Sequence, residues 1–177
     1  LLVHEITTGP RVQGREALMV MEQQTVAAMA AGAEVIYQAA FFDGRWRGHA
    51  DFLLRRDDLP GRWGWGYDVA DTTLARRLKV PAVLQMAVDA ERLTALQGTP
   101  PRTLVVVTGD GAERDYPFQD CAAYARRLAA ELLDFLDQGQ PTSPEPVRQC
   151  GQCRWQPQCR AEWTEQDHLS LVGGIRT

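Results

Sequence analysis

Two aspartates are the first residues in this sequence with the type and placement to do chemistry. Asp51 closes the run Gly48-His49-Ala50-Asp51, and Asp71 lies in Tyr67-Asp68-Val69-Ala70-Asp71-Thr72-Thr73. Both runs read as strands joined by a hairpin-like connection, so their ends can meet. Alternate residues of a strand share a face, which makes Tyr67, Val69 and Asp71 one stripe, apolar until its last member. A carboxylate there is costly to bury unless it is paired, hydrogen-bonded or bound to a metal. Two such carboxylates with one more oxygen or imidazole donor suit Mg²⁺ or Mn²⁺, which prefer hard oxygen ligands. The same pattern also fits two aspartates that cap strand ends in solvent.

Cys150, Cys153 and Cys159 form a second constellation, three thiols within ten residues in the pattern Cys-x2-Cys-x5-Cys. Thiolates at this spacing suit an iron–sulfur cluster or zinc. Without a secretory signal, the spacing reads as an intracellular, cytoplasmic site rather than as disulfides. A fourth donor is needed. Cys121 falls on the apolar stripe of a helix and reads first as a small buried residue. His168 would complete a three-thiolate, one-imidazole zinc site.

Periodicity supplies the elements that must position these groups. Residues 14–32 carry apolar side chains at three- and four-residue steps and end on Gly32, a helix with its stop. Residues 35–42 and 46–54 read as strands joined through Asp43-Gly44, a strong hairpin signal. Residues 63–73 read as a third strand and 82–97 as a helix. After Pro100-Pro101 comes a short buried strand at 104–108, a possible fifth strand at 113–116, and an amphipathic helix at 118–136. Residues 138–146, with three prolines, read as a linker. This order gives an α/β class with a mixed central sheet flanked by helices.

The chain has 177 residues, of which 45% are hydrophobic and 24% charged, an ordinary globular balance. Its net charge of −4 excludes a strongly basic nucleic-acid coat, though not a local arginine patch. No stretch approaches the ~20 apolar residues of a membrane span. Lys79 is the sole lysine among 19 basic residues. The arginines come in pairs, and Arg76 and Arg77, just beyond Asp71, are the best placed to meet phosphates. Trp46, Trp63, Trp65 and Trp155 read first as core or rim packing, with base stacking as the alternative. The chain begins Leu-Leu-Val-His and ends soon after Leu-Ser-Leu-Val. Both ends look cut, so further domains of a longer parent chain are expected.

Taken in order, Gly48-His49-Ala50-Asp51, Tyr67 to Arg76, Lys79, Gln85 and the three cysteines resemble the RecB-like nuclease branch of the PD-(D/E)XK superfamily. The cysteine end is similar to that of its iron–sulfur members, and Asp167 to Ile175 matches a further element of such sequences. The resemblance runs from about His4 to the C-terminus. It implies a restriction-endonuclease-like core over residues 1–140, lacking its N-terminal part, with a linker and cysteine segment over 141–177 packing on that core. It implies a DNA partner and metal-dependent phosphodiester hydrolysis in repair or recombination. His4 would stand on the first helix and, with Asp51, Asp71 and the Thr72 carbonyl, would hold Mg²⁺ or Mn²⁺. Gln85 would lie near that site and DNA. Cys150, Cys153 and Cys159 would hold a [4Fe–4S] cluster whose fourth ligand lies upstream of this segment, with zinc as the alternative.

The sequence also departs from the family pattern. The motif lysine is Thr73, which cannot carry the positive charge that positions water and offsets transition-state charge. Lys79 is the only ammonium that a migrated arrangement can use. The family-like Glu is shortened to Asp68, and a tyrosine four residues after Gln85 is replaced by Asp89. A weak nuclease is expected. The alternative is a catalytically degenerate DNA-binding or scaffold module of a larger nuclease or helicase protein.

Overall fold

A computed structural model describes residues 3–7, 14–75 and 79–172. The chain divides into two compact units, one running to Leu133 and the other beginning at Asp134. The elements are β1 (Val3–Glu5), α1 (Gly14–Ala30), β2 (Val35–Phe42), β3 (Arg47–Arg56), β4 (Gly66–Thr72), α2 (Val80–Gln97), β5 (Thr103–Val107), β6 (Glu113–Pro117), α3 (Phe118–Gln138) and α4 (Gln156–Glu165). Among the described residues six strands form one sheet in the order β1-β2-β3-β4-β5-β6. β1 is parallel to β2 and β4 to β5, and the other neighbours are antiparallel. The α/β class with a mixed sheet and flanking helices therefore holds. No helix among the described residues is long and apolar enough to cross a membrane.

The β2–β3 hairpin turns on Asp43 and Gly44. The Asp43 carboxylate accepts the N–H groups of Arg45 and Trp46, and Gly44 takes the positive φ that the turn requires. The strands owe their place to their aliphatic residues. Ile36, Leu53, Val69 and Leu104 lie in register across four strands and are fully buried, packed with Met29 of α1 and Leu93 of α2. At ~25 cal/mol per Å² of apolar surface, each such side chain contributes about 1.5–3 kcal/mol relative to exposure.

Two buried polar residues tie β4 to its neighbours. The Gln97 side chain accepts the Tyr67 N–H and donates to the carbonyls of Tyr67 and Thr99, anchoring the end of α2 on β4. Asp68 is buried and accepts from the Arg56 guanidinium, the N–H groups of Arg102 and Thr103, and the Thr103 hydroxyl. Its short carboxylate is a structural rivet between β4 and β5, with its charge met by donors on every side.

The elements differ from the sequence expectation in several places, among them α4, which no periodicity announced in the cysteine segment. Val3-His4-Glu5 is a short parallel strand, too short to leave a periodic signal, so His4 stands on an edge strand rather than on a helix. β4 starts at Gly66 and ends at Thr72, inside the expected 63–73. Trp65 is drawn out of the strand by its indole N–H bond to the Met29 carbonyl and by the Arg55 guanidinium over its ring.

Candidate active site

The β3–β4 ladder is in register up to Phe52 opposite Ala70. The next rung is made by side chains. Asp71 Oδ1 accepts the Asp51 backbone N–H at 2.9 Å, and Asp51 Oδ2 accepts the Thr72 N–H at 2.8 Å and the Thr72 hydroxyl at 2.6 Å. The two carboxylates thus reciprocally latch the end of β4 to the middle of β3, where a strand end was expected for Asp51 as well. Pairing also lapses on the other side of Asp51, where Tyr37–Phe52 and Ala39–Ala50 pair but Gln38 does not. Gln38 has a φ of 56°, a left-handed backbone that costs a non-glycine residue roughly 1–2 kcal/mol. Its side-chain amide lies 3.4 Å from Asp51 Oδ1. Asp51 therefore sits where the sheet opens on both edges, which frees its carboxylate from an ordinary strand environment.

Electrostatics extend the pair to a third carboxylate. Burial raises the Asp71 carboxyl above the ordinary range; the Asp51 N–H opposes the shift and the Asp51 charge adds to it. Asp89, on α2, is pushed up to about 7, first by burial and then by the charge of Asp71. It is 7% exposed. A β-carbon at Gly48 would overlap the Asp89 carboxyl, so this glycine is what lets the carboxyl lie against β3. Among the described residues Asp89 makes no hydrogen bond or ion pair, in contrast to the fully satisfied Asp68.

The structure brings Asp51, Asp71 and Thr72 together, and it adds Gln38 and Asp89. His4 is exposed on β1, two strands from Asp51 in the sheet order. Thr73 follows β4; its N–H donates to the Val107 carbonyl, and its hydroxyl oxygen accepts the Ala75 N–H. Lys79 caps α2 with an extended backbone and is exposed, as is Gln85 on the first turns of that helix. Arg76 and Arg77 lie outside the described residues. Asp89 did leave a signal in the sequence, an acidic residue between the buried Met86, Ala87 and Ala90 of one apolar helix face. Gln38 left a weaker one, the lone polar residue of β2.

The donor chemistry suits Mg²⁺ or Mn²⁺. Among the described residues Asp71 Oδ2 receives no hydrogen bond, and Asp51 Oδ1 receives only the long Gln38 contact. Mg²⁺ is commonly held through one or two carboxylates with water completing its shell. Among the described residues no group of three or more His, Cys, Asp or Glu side chains is placed to hold a metal ion. A metal here would rest on the Asp51–Asp71 pair.

The same observation applies to the cysteines of the second unit, whose thiols are unpaired and are not gathered as a ligand set. Cys150 Sγ accepts the Val147 N–H and caps the 3₁₀ turn Arg148–Gln152. His168 caps a second 3₁₀ turn, Leu169–Leu171, with Nδ1 accepting the Ser170 N–H. Trp163 anchors this region by donating to the Pro144 carbonyl. In the first unit, Cys121 packs against the core and donates its S–H to the Phe118 carbonyl.

No protein-family model matches the chain, and no curated protein matches it significantly.

Proposed function

We propose that the first unit is a RecB-like, restriction-endonuclease-type nuclease domain that hydrolyses DNA phosphodiesters weakly with Mg²⁺ or Mn²⁺. The observation that supports this reading best is the reciprocal Asp51–Asp71 latch where the pairing of β3 lapses. It places two carboxylates side by side, one of them held above its ordinary pKa range, with an oxygen of each turned from strong donors. A divalent cation would stabilise the charged form of both and would supply Lewis-acid polarisation of the phosphate and activation of water. Thr72 would orient Asp51 through its N–H and hydroxyl. Thr73 would supply no charge, because its hydroxyl is neutral and already engaged with Ala75. Cys150, Cys153 and Cys159 are proposed to hold a thiolate-bound iron–sulfur cluster, or zinc, in the loaded protein.

A second reading is favoured by the same Thr73 geometry, together with the exposed position of Lys79. In it the domain binds DNA but does not cleave, and serves as a module of a larger nuclease or helicase protein. One experiment separates the two. The purified chain is incubated with labelled single- and double-stranded DNA and Mn²⁺, beside Asp71→Ala. Cleavage that Asp71→Ala abolishes, with the fold retained, supports the nuclease. Binding without cleavage supports the module, and neither binding nor cleavage rejects both.

A further inference from the structure

On the Asp89 side of the carboxylate pair lies a half-open cavity of about 380 Å³, lined by the β2–β3 hairpin, α2 and the middle of α3. This is within the range of small-molecule sites, about 300–1,000 Å³. Its walls are largely apolar, with Phe41, Val88, Ala129 and Leu133 among them, and Trp46 presents an aromatic ring. Two polar groups in it lack partners. Asp89 opens onto the cavity at 7% exposure and makes no hydrogen bond or ion pair among the described residues. Arg47 is exposed and makes no ion pair among them either. The other two arginines of the lining are occupied, Arg92 by Glu22 and Arg126 by Glu91.

An apolar cavity with an acceptor in its depth and a free cation on its exposed side has a definite complement. That complement is flat and mostly apolar, carries N–H donors at one end and is anionic at the other. Among the described residues no buried side-chain polar atom lacks a partner, so the Asp89 oxygens reach solvent through the cavity. A ligand that closes the cavity over them must replace that water with a donor, and one that cannot loses about 1–3 kcal/mol. Stacking on an aromatic ring adds about 1–3 kcal/mol per base in single-strand sites.

We propose that this cavity is a nucleotide site, in which an amino-bearing base enters between Trp46 and the Ala129 side of α3, donates its exocyclic N–H to Asp89, and leaves its phosphate at Arg47. The inference deepens the nuclease reading and rests on it for the source of the base, a nucleotide of the strand whose phosphate meets Asp51 and Asp71. Gly48 then has a role in the site, since the space it leaves empty is where the base-reading carboxyl stands.

Binding without metal tests it, so that failure of cleavage and failure of this site are told apart. The full chain is titrated with adenosine 5′-monophosphate and with its N6,N6-dimethyl analogue, which keeps the ring and phosphate but has no amino donor. The dimethyl analogue should bind at least tenfold more weakly. Asp89→Leu, which keeps the branching of the side chain without its acceptors, should erase that difference, and Ala129→Phe, which puts a ring into the cavity from α3, should abolish binding of both. Arg47→Ala should weaken the nucleotide but not adenosine. A single strand with one adenine among abasic positions, bound more tightly than the mononucleotide, identifies a polymer as the source; equal binding identifies the free nucleotide. Equal affinity for the two analogues, or binding indifferent to both Asp89→Leu and Ala129→Phe, overturns the proposal. Those outcomes in a protein that still cleaves DNA with Mn²⁺ would leave the nuclease reading standing without this site.

Discussion

The Asp89 carboxyl of α2 occupies the space in which a side chain at Gly48 of β3 would begin. Few contacts in the molecule are less tolerant, because the helix residue is buried and the strand residue has nowhere to retreat. Gly48→Ala forces the carboxyl out of its place and should destabilise the fold by about 1–3 kcal/mol, as overpacking does. Combined with Asp89→Ala, the loss should be smaller than the sum of the single losses, since Asp89→Ala removes the carboxyl that the new β-carbon would strike. Urea unfolding of the four proteins measures this, and additive losses would show that the two residues do not meet.

The pH dependence of stability follows from Asp89. Its carboxyl rises from the ordinary value of 3.8 to about 7 in the fold. The folded state therefore holds a proton that the unfolded chain releases at lower pH. The associated stability is fully present below about pH 4 and is lost as pH rises through about 7. A displacement of this size corresponds to on the order of 4 kcal/mol. Asp71, raised in the same direction, adds to the trend. Unfolding free energy should fall between about pH 4 and pH 7, and Asp89→Asn should flatten most of that slope. An unchanged slope in the variant would place the titration elsewhere.

Thr73 bears on rate. Loss of one electrostatic group at a reacting centre commonly costs a factor of about 10²–10³. On the nuclease reading, Thr73→Lys should raise Mn²⁺-dependent cleavage by roughly that factor at saturating DNA. If Lys79 supplies the charge from the start of α2, Lys79→Ala should abolish cleavage and Thr73→Lys should restore it. A wild type indifferent to both changes would reject a role for either position.

The cysteine segment makes a separate prediction. Protein purified without oxygen should carry iron and sulfide, and Cys153→Ser should lose them while the first unit keeps its unfolding transition. One equivalent of zinc in place of iron selects the other metal. Absence of both metals from protein prepared in this way would reject a thiolate site.

How much of this was legible in the residues depends on how local each feature is. Strands β2 to β5 and all three long helices follow from periodicity, because a buried stripe must recur at the period of its own element. The hairpin at Asp43-Gly44 follows from turn chemistry for the same reason. Asp71 is recognisable as a carboxylate at a strand end, whereas Asp51, expected at one too, stands in the middle of β3. Only the tertiary structure decided that each would take a backbone N–H beside the other, since that requires the register of β3 on β4. β1 was not legible, because three residues carry no period and are held by pairing with β2. Asp68 and Asp89 make the same point. In sequence both are aspartates amid apolar residues. Asp68 meets Arg56 on one side and Arg102 and Thr103 on the other, brought from two distant places in the chain, and becomes a rivet. Asp89 meets Gly48 and a cavity and is left with an open carboxyl. Sequence determined that both carry a charge that is costly to bury; the fold decided which of them is met by donors.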